Sequence, residues 1–367
     1  MKPIRILQVV PNMHSAGIEN WLMNIYRNID REKVQFDFLV HYKKRFDFDD
    51  EIESLGGKIF RMSVREDNNL IKYISNLNKF FSEHKEYKVI HAYMPSLAYI
   101  YLGIAKKYNI KYRILHSHNA FCSKNIKGYL KMVLSKIAKY NATNLLACSY
   151  KAGVFQYGNS EFTLINNAID VERFSYNYTI RNQVRKELNV EEKFVIGHIG
   201  RFNVQKNHVF IINILNQIKK EKNDIHLILV GTGELKETIE AMVKKLELCN
   251  NVTFLGSRDD THKLYQAFDL FILPSLHEGL PVVGVEAQAA GLPILFSEEV
   301  TKEVKLTDEI EFLPINKGEG IWKEKILKIR KNKILRKNNV DKLTKLGYNV
   351  KNESQKLIDL YTSVYEY

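Results

Sequence analysis

Two glutamates, Glu278 and Glu286, stand eight positions apart in the stretch Glu-Gly-Leu-Pro-Val-Val-Gly-Val-Glu, and no other pair in the chain is better arranged for chemistry. The apolar run 270–274 before them reads as a strand. Gly279, Leu280 and Pro281 read as a turn, with Val282 and Val283 opening a helix. A strand that feeds a tight turn and then a helix is where open α/β sheets build ligand sites. The first N–H groups of a helix have no partner within it and can face a phosphate. Glu278 reaches a ligand from the loop, and Glu286, about two turns further on, is placed to accept hydrogen bonds from ribose hydroxyls. The combination suits a nucleotide-linked sugar.

A second constellation, Gly200-Arg201-Phe202-Asn203-Val204-Gln205-Lys206-Asn207, follows the strand-like run 194–200. Arg201 and Lys206 at a strand end can hold a diphosphate and stabilise the charge that develops as it leaves; the alternative is an ordinary basic loop. After the first apolar run, Gly17 permits close approach of a backbone to a ligand, with a helix starting near Glu19. The Gly-x-Gly-x-x-Gly dinucleotide fingerprint is absent. His116 and His118 end the run 112–118 and share a side if the strand continues that far. A histidine there can contact a sugar hydroxyl or orient a reacting centre. A metal reading of His-x-His finds no further Cys, His or Asp cluster to support it. Gly231, Gly233 and the loop Gly256-Ser257-Arg258 are further strand ends able to approach a base or phosphate. Asp47-Phe48-Asp49 could bind a metal and a diphosphate, but a helix N-cap or solvated loop is expected.

Strand-like and helix-like runs alternate along the chain and must position these residues. Strands are expected at 4–10, 34–40, 58–62, 89–94, 112–118, 144–149 and 162–167. The pattern restarts at 194–200, 225–231, 252–256, 270–274 and 293–297. Alternating βα units argue for parallel sheets covered by helices on both faces, and two series argue for two doubly wound domains. The expected division is 1–170, 171–348 and a terminal segment 349–367. The polar segment 170–192 reads as a linker, with Asn166 to Asp170 as turn chemistry at the junction. A charged helix is expected over 319–346. Leu357, Leu360, Tyr361 and Val364 fall on one face of a terminal helix, expected to pack on the first domain.

The 367 residues, 45% of them hydrophobic, are enough for about two buried cores. The run 4–10 is too short for a signal segment, and no run of about 18 apolar residues occurs. Cys122, Cys148 and Cys249 lack metal-ligand spacing and read as reduced thiols in a cytoplasmic protein. The net charge of +13 favours an anionic partner. Lys124, Lys127, Lys131, Lys136 and Lys139 cluster without an acid among them, and a second basic tract spans 323–345. The basic residues lack an interleaved aromatic platform or a known reader motif, so nucleic acid is not expected. Ile126, Leu130, Val133, Leu134 and Ile137 form an apolar face beside the first cluster. That helix either packs in the core or docks on anionic lipid.

Together these motifs resemble glycosyltransferase family 4, the retaining GT-B enzymes, over nearly the whole chain and most closely its bacterial exopolysaccharide and capsule branch. The resemblance implies two Rossmann-like domains facing a central cleft. It implies a nucleotide diphosphate donor, UDP by family frequency, and a lipid-linked or oligosaccharide acceptor, used peripherally at the inner face of the cell membrane. It implies that Glu278 reaches the donor sugar and Glu286 its ribose, with Gly279, Leu280, Val282 and Val283 between them. Arg201 and Lys206 clamp the diphosphate, and Gly256 and Arg258 lie where the base is held. Gly17 lies near the donor phosphate, and His116 or His118, with His118 favoured, is the active-site histidine. No metal or other cofactor is expected. Two departures stand out: Ala16 precedes Gly17 where the family often has a second glycine, and Ala168 occupies a position that is often glycine. The rivals are a nucleotide-sugar 2-epimerase of the same architecture, a glycoside hydrolase with paired carboxylates and a non-catalytic partner subunit.

Overall fold

A computed structural model of the chain describes residues 3–14, 17–64, 66–93, 95–118, 125–332 and 335–363. The chain forms two compact units, Met1–Ala168 with Asn349–Tyr367, and Ile169–Tyr348. In the first unit β1 (Ile4–Val10), β2 (Val34–Val40), β3 (Ile59–Arg61), β4 (Val89–Ala92), β5 (Tyr112–Ser117), β6 (Asn144–Ala147) and β7 (Thr163–Leu164) make one sheet in the order β3-β2-β1-β4-β5-β6-β7. Every pairing is parallel. Alternate residues of a strand enter different cores: Ile6, Phe36, Val89 and Ile114 one, Leu7, Leu39, Ile90 and Leu115 the other. A parallel sheet buried on both faces needs continuous apolar strands, and these runs supply them.

The second unit repeats the plan. β8 (Phe194–Ile199), β9 (Ile225–Val230), β10 (Val252–Phe254), β11 (Leu270–Leu273), β12 (Ile294–Ser297) and β13 (Ile310–Leu313) lie in the order β10-β9-β8-β11-β12-β13, again all parallel. Leu227, Leu270 and Leu295 face one core, and Ile228, Phe271 and Phe296 the other. Each unit is thus a doubly wound, Rossmann-like α/β layer structure.

Several expectations are corrected. The segment 170–192 is no linker: it folds into helices Val171–Phe174 and Tyr178–Glu187. Arg181 (2.5 Å) and Arg185 (3.0 Å) both pair with Asp269 of the second unit, so its charges are spent on packing. The charged helix 319–346 is two, Glu319–Asn332 and Val340–Lys345. Five residues of its basic tract are paired within the unit, where Lys323, Lys325, Arg330, Lys337 and Lys342 meet Glu221, Glu311, Asp224, Glu309 and Asp308. β13 was not anticipated, and the run 162–167 forms only two strand residues. Cys148 is buried and Cys249 exposed; Cys122 lies outside the described residues.

The helix Val350–Thr362 closes the first unit. Val350, Leu357, Ile358 and Tyr361 enter the core of β1 and β2; Leu360 is partly buried against it, and Val364 lies outside the described residues. Leu357→Ala should therefore cost about 2–5 kcal/mol. Thermal unfolding should show its midpoint falling by several degrees, whereas Leu360→Ala should change it little.

Candidate active site

Strand order reverses between β8 and β11, so the connections leaving these neighbours diverge and open a crevice at their carboxyl ends. The loops there carry both constellations read from the sequence. They are stitched together: Leu276 N–H donates to Gln205 O (2.8 Å), Gln205 Nε2 to His277 O (2.9 Å) and Asn207 Nδ2 to Pro274 O (3.2 Å). Asn207 takes φ 57°, a left-handed conformation that asparagine tolerates, at the start of helix His208–Lys219. The closure brings Lys206 Nζ to Glu278 Oε1 at 2.6 Å, both side chains mostly buried. Ser275 Oγ donates to the same oxygen at 3.1 Å, and Asn203 Oδ1 accepts from Lys206 N–H at 3.0 Å. An ammonium has three donors and a carboxylate two oxygens. Lys206 thus keeps protons for an anion, and Glu278 keeps Oε2 for a hydroxyl.

Arg201 stands on the same loop but is exposed, 3.2 Å from Glu234. An exposed pair contributes little, so Arg201 can leave it for a ligand at small cost. Gly231 has φ +138°, and a Cβ there would sit 2.2 Å from Gly200 O; only glycine lets the ends of β8 and β9 approach this closely. Gly231 N–H donates to Gly256 O (2.7 Å). Gly256, at φ +65°, has open space on its Cβ side. Arg258 forks onto Asp260, at 2.7 Å through both Nε and Nη2.

After β11 and its turn comes helix Val282–Ala289. Pro281 occupies the N-cap position without a side-chain cap, which leaves the opening N–H groups without a side-chain acceptor. The side of Gly279 toward which a Cβ would point is open, whereas a Cβ on Gly284 would lie 2.7 Å from the Phe296 ring, so the helix lies directly on β12. Glu286, about one turn in, accepts from Tyr265 Oη at 2.8 Å. Burial raises its carboxyl to about 7, against the opposing effect of that bond.

In the first unit β1, β4 and β5 adjoin the corresponding reversal. His116 is fully buried, its Nδ1 3.2 Å from His91 Nε2. His91 Nδ1 lies 2.6 Å from Tyr361 Oη of the terminal helix. His118, one residue past β5, is half-buried against Trp21 (ring centroids 5.0 Å) and His116 (4.2 Å). Both ring nitrogens are buried, and a hydrogen bond with the Asn167 side chain opposes part of the effect of that burial. Burial takes His116 well below its ordinary value and His118 to about 3. His118 is therefore a neutral imidazole at neutral pH, one nitrogen a donor and the other an acceptor. Gly17 opens helix Gly17–Asn28, exposed and with open space around it. Asp49 starts helix Asp49–Ser54 and is held by Arg61 at 2.5 Å, while Asp47 pairs with His14 at 2.6 Å. Among the described residues no group of three or more His, Cys, Asp or Glu is arranged for a metal.

Sequence reading missed Ser275 and Tyr265. Ser275 stands two residues past β11, a position that could have drawn notice; Tyr265 lies on helix Thr261–Ala267 and carries no signal in the chain.

Residues 179–345 match the family model described as glycosyl transferases group 1. The glycosyltransferase EpsF of Bacillus subtilis is 32% identical over 97% of this chain and 96% of its own. The chain belongs to the group 1 glycosyltransferases. Among other relatives of this glycosyltransferase, the capsular polysaccharide biosynthesis glycosyltransferase CapH of Staphylococcus aureus is 24% identical over 98% of this chain and 99% of its own. Anabaena HepE, solved in complex with UDP and glucose, superposes with a TM-score of 0.79 at 20% identity, covering 98% of this chain and 100% of its own. That likeness establishes a GT-B fold.

Glu286 makes the glycosyltransferase's stability depend on pH in a defined direction. Its carboxyl rises from 4.5 to about 7 on folding. The folded state therefore holds a proton that the unfolded state releases, and stability is full below pH 4.5 and falls as pH rises through 7. The loss is at most about 3 kcal/mol, because part of the side chain meets solvent. Glu286→Gln should remove it: unfolding midpoints of variant and wild type should lie close at pH 5, with the variant higher at pH 8.

Proposed function

We propose that this glycosyltransferase moves a sugar from a UDP-sugar donor to a lipid-linked or oligosaccharide acceptor in the assembly of a cell-surface polysaccharide, with retention of anomeric configuration and without a metal. The observation that carries the reading is the gathering of Lys206, Glu278 and Ser275 beside the opening of helix Val282–Ala289 at the β8/β11 reversal. The donor diphosphate is bound by Lys206, Arg201 and the backbone N–H groups of that helix; Gly279 leaves room for the approach. Glu278 Oε2 takes a hydroxyl of the sugar, and Glu286 takes the ribose. Gly256 and the residues to Arg258 border the base. The capsular role named for CapH and the UDP bound to HepE support the pathway and the nucleotide.

Positive charge at the departing diphosphate is the chemical requirement, and two cations with a helix terminus supply it without a metal. As the bond to the diphosphate breaks, the anomeric centre becomes oxocarbenium-like. The acceptor hydroxyl attacks the same face, and its proton passes to the departing phosphate oxygen. His118, neutral and beside Asn167, contacts a sugar hydroxyl; His116, in ring contact with it and joined through Nδ1 to His91, positions it.

Helix Ile126–Ala138 supports docking on an anionic membrane surface at the inner face of the cell membrane. Ile126 is 88% exposed, Leu130 61% and Val133 52%, while Leu134 and Ile137 turn partly inward. Lys131 and Lys136 are exposed beside them. Lys139 is tied to Tyr157 O at 2.9 Å. Lys124 and the side chain of Lys127 lie outside the described residues. No described helix is long and apolar enough to cross a membrane.

In EDTA, UDP at about 100 times its dissociation constant should add about 2.7 kcal/mol and raise the unfolding midpoint by several degrees. A shift seen only with a divalent ion would overturn the metal-free reading. Arg201→Ala and Lys206→Ala should each lower turnover roughly a hundredfold or more; near-wild-type turnover in both would sink the clamp. Vesicles containing acidic lipid should sediment the protein, less at high salt and less for Ile126→Glu with Leu130→Glu. Binding indifferent to acidic lipid would count against docking.

A further inference from the structure

The Tyr265 side chain is buried in the second unit's core, and its hydroxyl reaches Glu286 of the candidate donor site. That hydroxyl lies between two acceptors on one helix, Glu286 Oε2 at 2.8 Å and Val283 O at 3.1 Å. It has one proton and can satisfy one acceptor at a time. When Glu286 is ionised, the proton belongs on the carboxylate, because a charged acceptor makes the stronger bond. When Glu286 is protonated, its own O–H can donate to the tyrosine oxygen, and the tyrosine proton turns to Val283 O. The position is thus a two-state hydrogen-bond relay in which Tyr265 fixes one carboxylate oxygen and leaves the other for a ligand.

We propose that Tyr265 is a positioning residue of the donor site: it aims Glu286 at the ribose, and its hydroxyl shifts from Val283 O to the carboxylate as a nucleotide binds, so that binding releases the Glu286 proton to solvent. This rests on the reading of Glu286 as the ribose ligand. The surroundings favour it. Burial holds much of Glu286 protonated near neutrality, and Tyr265 is the side chain that opposes this. Other ionisable groups stand on the neighbouring elements, several of them paired there. His262, on the helix of Tyr265, interacts with Arg173, Lys263, Asp260 and Asp170, and Lys263 on the same helix also with Asp260. Glu172 lies on helix Val171–Phe174. Lys342 of helix Val340–Lys345 pairs with Asp308, on an element that also carries Asp341 and Lys345. Arg336 binds main-chain oxygens of Tyr265 (3.1 Å) and Ala290 (3.4 Å). β12 carries no ionisable residue.

Two ribose hydroxyls donating to the carboxylate stabilise its charged form, so binding should be weak while Glu286 is protonated and strengthen as it ionises. Isothermal titration with UDP on the full-length protein, in buffers of different ionisation enthalpy from pH 6 to 9, reads both affinity and protons released. UDP's own terminal phosphate titrates near pH 6, so wild type is read against Glu286→Gln, which keeps that contribution. Wild type should show an extra release approaching one proton near pH 6 and falling away above pH 8, with affinity rising about tenfold from pH 6 to 8. Tyr265→Phe keeps the buried ring and loses the donor. Its profile should move up by about one to two pH units, so that UDP binds roughly tenfold or more weakly at pH 7 and recovers by pH 9. KM should rise and kcat hold. A Tyr265→Phe profile that stays at the wild-type position overturns the proposal while leaving the ribose reading intact. So does a wild type without extra proton release where Glu286→Gln still weakens UDP. Unchanged UDP affinity in Glu286→Gln removes the ribose reading itself.

Discussion

A sheet of parallel strands sends every strand's carboxyl end to the same edge, and this sheet must be covered on both faces. The helices divide between the faces, and the strand order reverses where the division falls. At β8 and β11 the neighbouring strands stay hydrogen-bonded while their connections part. The gap cannot be filled by apolar side chains alone, because the loops that border it carry main-chain groups needing partners. Gln205, Asn207 and Ser297 supply several: Ser297 Oγ donates to Ser275 O at 2.5 Å, beside the links of Gln205 and Asn207 across the gap. The same closure sets Lys206 on Glu278.

That ion pair is a poor device for stability. Desolvating two charges offsets most of their attraction, and a well-packed apolar pair of similar volume is often as stable or more so. Its value lies in what it leaves unused: ammonium protons and a carboxylate oxygen, both held in place at the opening of a helix. Glu286 argues in the same direction. Its carboxyl rises to about 7 within an apolar surround, a cost to folding that a ligand donating hydroxyls would recover in part.

Much of this was legible in the chain because the physics that makes a doubly buried parallel strand also makes a continuous apolar run. β1 and β2 coincide with the runs 4–10 and 34–40. β13 escaped because it is four residues with Glu311 in it. The segment 170–192 looked like a linker because Arg181 and Arg185 read as solvated charges, whereas folding turns them onto Asp269 and neighbouring carbonyls. The same limit governs the site. Arg201, Lys206, Glu278 and Glu286 stand out because each sits at a fixed offset from a strand end. Tyr265 is brought to Glu286 by the packing of two helices, a contact that no local spacing encodes.

Charge shows the limit most clearly. A net +13 invites the idea of a basic binding surface, yet the candidate donor site holds few of these cations. Five basic residues of the tract 323–345 are matched to acids on their own unit. What distinguishes Lys206 from the other lysines is burial beside one carboxylate with protons to spare. The histidines of the first unit make the complementary point. His91, His116 and His118 sit so deep that each is held neutral, and a neutral imidazole suits hydroxyls where an ammonium suits phosphate. The two units thus offer different chemistry from the same topological position: ionic at the β8/β11 reversal and uncharged but polar beside β1, β4 and β5.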